Sequence, residues 1–200
     1  MRPTASADNN RSAKSIGIDD GPFPPKIPNR PSHAPLVAVC LKGPRLYRVQ
    51  TGWITVDGLD ATARAQALLE KLPKAPILLS GVIFGGFNLI DPWRVQRRFR
   101  TPTIVVVGSR PDNNAVKRAL VKHFPDWKER WKVIRSLGPL RSVHTMPDEP
   151  PVFYEAIGCS ALEARRVLAN NVWVSRVPEP VRVAGLVARG LFIETSRVSS

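Results

Sequence analysis

Short, dense apolar runs alternate with stretches of helical periodicity along most of the chain. Ile16 to Asp19 is the first strand candidate, opening the run SIGIDDGPF. A proline-rich loop follows at 22–35. Seven prolines fall within residues 1–35, and such a segment is extended rather than helical. LVAVCL (36–41) and LYRVQTGWITVDG (46–58) read as strands joined by the tight link KGPR, an antiparallel hairpin. Asp60 to Leu72 has Ala and Leu on one helical face, with Asp60 in the N-cap position. Pro76 to Ser80 (PILLS) is too continuously apolar to be half exposed and belongs in the middle of a sheet. GVIFGGFNLIDPW is a glycine-rich turn leading into a helix, and Thr103 to Val107 (TIVVV) is a second buried strand. Asn113 to Leu137 is helical with a break near Pro125, and Val152 to Ile157 is a strand. Ser160 with Glu163 forms a capping box, and Pro178 opens a last helix running to about Phe192.

The resulting order, βββαβαβαβαα, predicts an α/β fold: a mixed sheet with an early antiparallel hairpin and later strand–helix alternation. Residues 1–15 (MRPTASADNNRSAKS) are polar, basic and aperiodic, an arm that is either disordered or ordered by a partner, ahead of one domain at 16–200. Two cysteines exclude a disulfide-rich scaffold and a cysteine zinc finger. No apolar run reaches membrane-spanning length and the first residues are polar, so a cytoplasmic protein without a membrane partner is expected.

Charge sharpens this picture. The 200 residues hold 30 Lys and Arg against 16 Asp and Glu, a formal +14 that favours a polyanionic partner, most simply nucleic acid. The excess is concentrated in residues 94–141. There Arg94, Arg97, Arg98, Arg100, Arg110, Lys117, Arg118, Lys122, Lys128, Arg130, Lys132, Arg135 and Arg141 face only Asp112, Asp126 and Glu129, a net +10. These thirteen are the candidate nucleic-acid-binding residues. Trp127 and Trp131, four apart among them, are either a stacking platform for an unpaired base or core residues behind a solvated cationic face. No base-reading motif accompanies them, so recognition of backbone or shape is expected.

The candidate chemistry is carboxylate. Asp19 and Asp20 end the first strand, where alternation points them to opposite faces. Asp57 and Asp60 flank the hairpin exit, Asp91 follows the glycine-rich turn, and Glu179 starts the last helix. A metal-dependent nuclease needs several such oxygens converging from different strands. Bland roles compete: an N-cap for Asp60, a dipole partner for Glu179, a tight turn for Gly85–Gly86. His33, His123 and His144 are scattered outside any motif, and Cys40 and Cys159 read as small buried hydrophobes.

GIDDGPF (17–23), VDGLDAT (56–62), SGVIFGGFNLID (80–91) and PEPVRVAGLVARG (178–190) together resemble the motif blocks of an archaeal family related to endonuclease V, some members of which are deoxyuridine endonucleases. The resemblance covers the chain from Ile16 onward, in the family's order and spacing. It implies a ribonuclease H-like (endonuclease V-like) mixed sheet whose first three strands are antiparallel, flanked by helices. It also implies Mg²⁺-dependent phosphodiester cleavage near a deaminated base. In that family an aspartate precedes the glycine of the third block and serves as a metal ligand beside the one matching Asp19; here the position is Ser80. A histidine follows the PEP-x-R-x-A pattern of the last block; here it is Gly185. A hydroxyl is a weak, uncharged ligand for a hard cation, and glycine neither coordinates nor transfers a proton.

The sequence therefore favours a non-catalytic nucleic-acid-binding protein with a degenerate active site, requiring no cofactor and holding no metal. Its expected ligand is structured RNA in a ribonucleoprotein such as the ribosome. The competing readings are an active Mg²⁺-dependent endonuclease on uracil- or hypoxanthine-containing DNA, and a basic interaction protein whose charge serves solubility.

Overall fold

In a computed structural model, which describes residues 13–25 and 32–198, a seven-stranded mixed sheet lies between two helical layers. Its strands are β1 (Lys14–Asp20), β2 (His33–Lys42), β3 (Arg45–Thr55), β4 (Ile77–Leu79), β7 (Thr103–Val107), β8 (Arg141–Val143) and β9 (Val152–Ile157). A separate two-stranded ribbon is formed by β5 (Ile83–Phe84) and β6 (Asn88–Leu89). The helices are α1 (Ala61–Leu69), α2 (Pro92–Phe99), α3 (Asn113–His123), α4 (Trp127–Arg135), α5 (Ala161–Ala169) and α6 (Glu179–Val198).

The spatial order of the sheet is β3-β2-β1-β4-β7-β9-β8. The first three strands are antiparallel, β1, β4 and β7 are parallel, and β9 and β8 return antiparallel at the far edge. This is the sheet that the family resemblance implies. Alternate strand residues feed two cores. Ile16, Ile18, Leu79 and Val105 face the layer of α1–α4, which contributes Ala65, Val95, Leu120 and Ile134. Leu78, Ile104, Val106 and Tyr154 face Ala164 and Leu168 of α5 and Val181 of α6. Farther along α6, Ala184 and Ala188 pack on Val37, Val39 and Leu41 of β2. That helix lies unusually close to β1: a Cβ at Gly17 would fall 2.1 Å from the Pro180 carbonyl carbon, so only glycine fits there.

Several boundaries depart from the sequence reading. β1 begins at Lys14, so the last two residues assigned to the arm belong to the sheet, and buried Ser15 donates to Asn171 Oδ1. Residues 1–12 of the arm and 26–31 of the proline-rich loop lie outside the described residues. The loop ends earlier than predicted, because His33 to Pro35 pair with β3. The ribbon β5–β6 and the edge strand β8 were not predicted; they are two or three residues long and carry no periodicity. No described helix is long and apolar enough to cross a membrane.

Candidate functional site

The parallel strands β1 and β4 end side by side, and the chain leaves them in opposite directions, the position where open α/β sheets form crevices. Asp19 and Asp20 close β1 there. As alternation requires, they serve opposite faces. Asp19 points toward α6, where a Cβ on Gly185 would come within 2.3 Å of its Oδ2. Its Oδ1 accepts from the Asp20 amide at 3.0 Å, and the Ser80 side chain hydrogen-bonds to it. Burial pushes the Asp19 carboxyl above the usual carboxylate range, against the Ser80 bond and the positive charge of Arg189. Asp19, Ser80 and Gly185, picked out separately in sequence, thus converge on one spot.

Asp20 faces the other layer, where its Oδ2 accepts from the Gly85 amide at 2.6 Å. Burial pushes this carboxyl up to about 6, opposed by the Gly85 bond and reinforced by the charge of Asp19. Asp57, held at a positive φ of 59°, accepts from the Phe87 amide at 2.9 Å. The two aspartates therefore brace the turn of the β5–β6 ribbon, whose Gly85 and Gly86 both take positive φ.

The remaining acidic candidates have structural partners elsewhere. Asp60 stands at the start of α1, but its carboxylate does not cap the helix. It accepts from Thr55 N and Asn88 Nδ2, and Asn88 Oδ1 receives the Ala61 amide instead. Asp91 is the true cap, accepting from Trp93 N and Arg94 N of α2. Glu179 is buried in an ion pair with Arg182, six residues and about 9 Å of helix rise from Gly185. Among the described residues no three His, Cys, Asp or Glu side chains gather as a metal site.

Mg²⁺ is held by one or two protein carboxylates, with waters and substrate phosphates completing its shell. On the α6 face of the strand ends the donors are one carboxylate, one neutral hydroxyl and, from α6, a glycine. With a single anionic ligand on that face, and Asp20 turned to the other to hold Gly85, this set is a poor fit for such an ion.

Sequence reading missed Glu155. It lies on β9 in one cross-sheet row with Ile18, Leu79 and Val105, which places its carboxyl on the core face at 6% exposure. A cavity of about 200 Å³ opens there, lined by Glu155, Ser80, Gly81, Ile83, Val105 and Asn113 among others. Burial pushes the Glu155 carboxyl up to about 7, and no ion pair offsets it among the described residues. A single Glu inside a strand buried on both faces gives no sequence signal of such a pocket.

Of the thirteen basic candidates, twelve are exposed and Arg130 is not. At 5% exposure Arg130 donates to the carbonyls of Asp57, Gly58 and Phe87 and pairs with Asp126. It pins α4 to both loops beside the strand ends and is removed from the nucleic-acid-binding set. Arg98 is exposed but paired with Glu70. His33, His123 and His144 are exposed and outside the site, Cys40 is buried, and Cys159 is half-buried.

Comparison with known proteins agrees with this architecture. A family model described as endonuclease dU matches residues 11–192. A UPF0215 protein of Pyrococcus furiosus is 37% identical over 186 residues, 89% of this chain and 91% of that protein. A crystal structure of an Archaeoglobus fulgidus protein of unknown function superposes with a TM-score of 0.76 at 26% identity, covering 90% of this chain and 98% of that one. Endonuclease V of Ciona intestinalis, solved with a DNA containing an inosine, gives a TM-score of 0.60 at 17% identity, covering 96% of each chain. At that last identity the likeness is one of fold, the ribonuclease H-like fold of endonuclease V. Matched over most of its length by the family model, and by relatives at this level of identity, the chain belongs to the endonuclease dU family.

Proposed function

We propose that this chain binds nucleic acid and does not cleave it. The observation that carries this reading is the surrounding of Asp19. Its carboxyl meets the Ser80 hydroxyl and the bare Cα of Gly185, at the positions where the resemblance implies a second metal-binding carboxylate and a histidine. Metal-assisted phosphodiester cleavage depends on anionic oxygens holding the ion that neutralises transition-state charge, and Asp19 stands without the second carboxylate that the resemblance implies beside it. An exposed cationic surface supports the binding half of the proposal. Twelve exposed Lys and Arg between 94 and 141 suit a phosphate backbone. The solved endonuclease V neighbours held on DNA support a nucleic-acid ligand for this fold.

Structured RNA, with a ribosomal particle as its concrete setting, is the ligand we favour. The cations carry no base-reading motif, and contacts to backbone and shape are the ordinary mode of double-stranded RNA recognition. The test is binding to an RNA hairpin across a salt series, together with co-sedimentation with ribosomal particles. Affinity should fall steeply with salt, with a slope of about −0.7 to −0.9 per phosphate contact. Replacing Arg118, Lys122, Lys128 and Lys132 by Ala should flatten that slope. Absence from ribosomal fractions at low salt removes the ribosomal setting, and salt-independent binding removes the electrostatic account.

The family's description as endonuclease dU favours a second reading, a Mg²⁺-dependent endonuclease acting on deaminated DNA. Cleavage of uracil- or hypoxanthine-containing DNA separates the two.

A further inference from the structure

The charged half of α4 carries a feature that backbone binding does not use. Successive residues of a helix turn by about 100°, so Trp127, Trp131, Arg135, Lys128 and Lys132 fall in that order across one continuous arc. Arg130 and Ile134, buried, lie on the other side of the tryptophans. The two indoles thus stand at the boundary between core and cationic stripe. One side of each packs against the main core, and both line an open cavity of about 590 Å³. The other walls are Lys128, Lys132, Arg135 and Ser136, with no carboxylate among them. Glu129 lines a different cavity, and Asp126 is taken up by Arg130. Lys128 Nζ lies 5.8 Å from the Trp127 ring and, from α3, Lys117 Nζ lies 5.7 Å from the Trp131 ring.

We infer that this cavity is a stacking site for an unpaired nucleobase, whose flanking phosphates rest on Lys128, Lys132 and Arg135. The inference rests on the nucleic-acid reading above and adds to it a base contact. Charge complementarity selects an anion, and two indoles, from whose rings Lys117 and Lys128 would move onto the phosphates, select one with a planar aromatic body; single-stranded nucleic acid joins both at nucleotide spacing. Among the described residues its walls offer, besides the cations, only the Ser136 hydroxyl and the indole N–H groups as polar contacts, so the cavity would hold bases without reading their identity, as stacking platforms do.

The test compares an oligothymidylate of about twelve nucleotides with an abasic strand of the same length and charge. Both are titrated against the full chain and followed by tryptophan emission. The wild-type protein should bind the base-bearing strand roughly tenfold more tightly, the order expected from one stacked base, with emission quenched only by that strand. Trp127→Leu should abolish the preference while keeping residual affinity for both strands. Trp131→Phe, which retains a ring, should keep most of it, and Lys128→Glu with Lys132→Glu should weaken both strands alike. Should Trp127→Leu fail to fold, the wild-type preference and quenching still decide. Equal affinity for the two strands overturns the stacking site and leaves the electrostatic reading standing. Failure to bind either strand likewise overturns the stacking site, and the RNA-hairpin titration decides the electrostatic reading separately. Competition by polyglutamate as effective as that of the oligothymidylate overturns the proposal in favour of an acidic protein partner.

Discussion

A side chain at Gly185 and the carboxylate of Asp19 compete for one space, since a Cβ on Gly185 would come within 2.3 Å of Asp19 Oδ2. Glycine in a helix interior costs about 1 kcal/mol relative to alanine. Gly185→Ala alone should recover little of this, because Asp19 must swing away from Ser80 and Arg189 to admit the methyl group. In an Asp19→Ala background the same substitution should stabilise by about 1 kcal/mol. Urea unfolding of the four proteins measures the coupling; strict additivity would show that the two residues do not share the space.

Glu155 sets a pH dependence. The folded protein holds this proton up to about pH 7, whereas the unfolded chain releases it near 4.5. Between those values the native state binds more protons, so stability falls as pH rises, and it levels off above the folded value. The loss is on the order of 3 kcal/mol. Asp20, raised to about 6, adds a smaller loss over a lower range. Glu155→Gln should remove the larger part and make the protein more stable than wild type at pH 8. Parallel stability curves for the two proteins from pH 5 to 8 would contradict the buried, proton-holding carboxyl.

Arg130 should prove structural. Arg130→Ala leaves three loop carbonyls and Asp126 without their donor and should cost about 3 kcal/mol. Arg130→Lys should recover only a small part, because one ammonium cannot span the partners that the planar guanidinium reaches. Thermal unfolding reads both. In contrast, Lys132→Ala on the exposed stripe should leave stability within about 0.5 kcal/mol of wild type.

The sheet was legible because its buried strands are dense apolar runs: PILLS and TIVVV became β4 and β7, and the Ser160–Glu163 capping box is present on α5. The spot where Asp19, Ser80 and Gly185 meet was legible only through motif resemblance, since no spacing rule brings residues of β1, β4 and α6 together. Local rules also misassigned residues of similar type. Asp60 looks like a helix cap and Asp91 like a site carboxylate, yet Asp91 caps α2 while Asp60 is drawn off by Thr55 and Asn88, a competition set by tertiary contacts. Arg130 read as one more surface cation because its three acceptors are backbone carbonyls distant in sequence.

The central claim is that phosphate is held here without being cut. Its most direct test is incubation of uracil- and hypoxanthine-containing DNA with Mg²⁺ or Mn²⁺, using the wild-type chain and the Asp19→Ala variant. The account predicts that both leave the DNA intact. Cleavage by the wild-type chain that disappears on Asp19→Ala would contradict it.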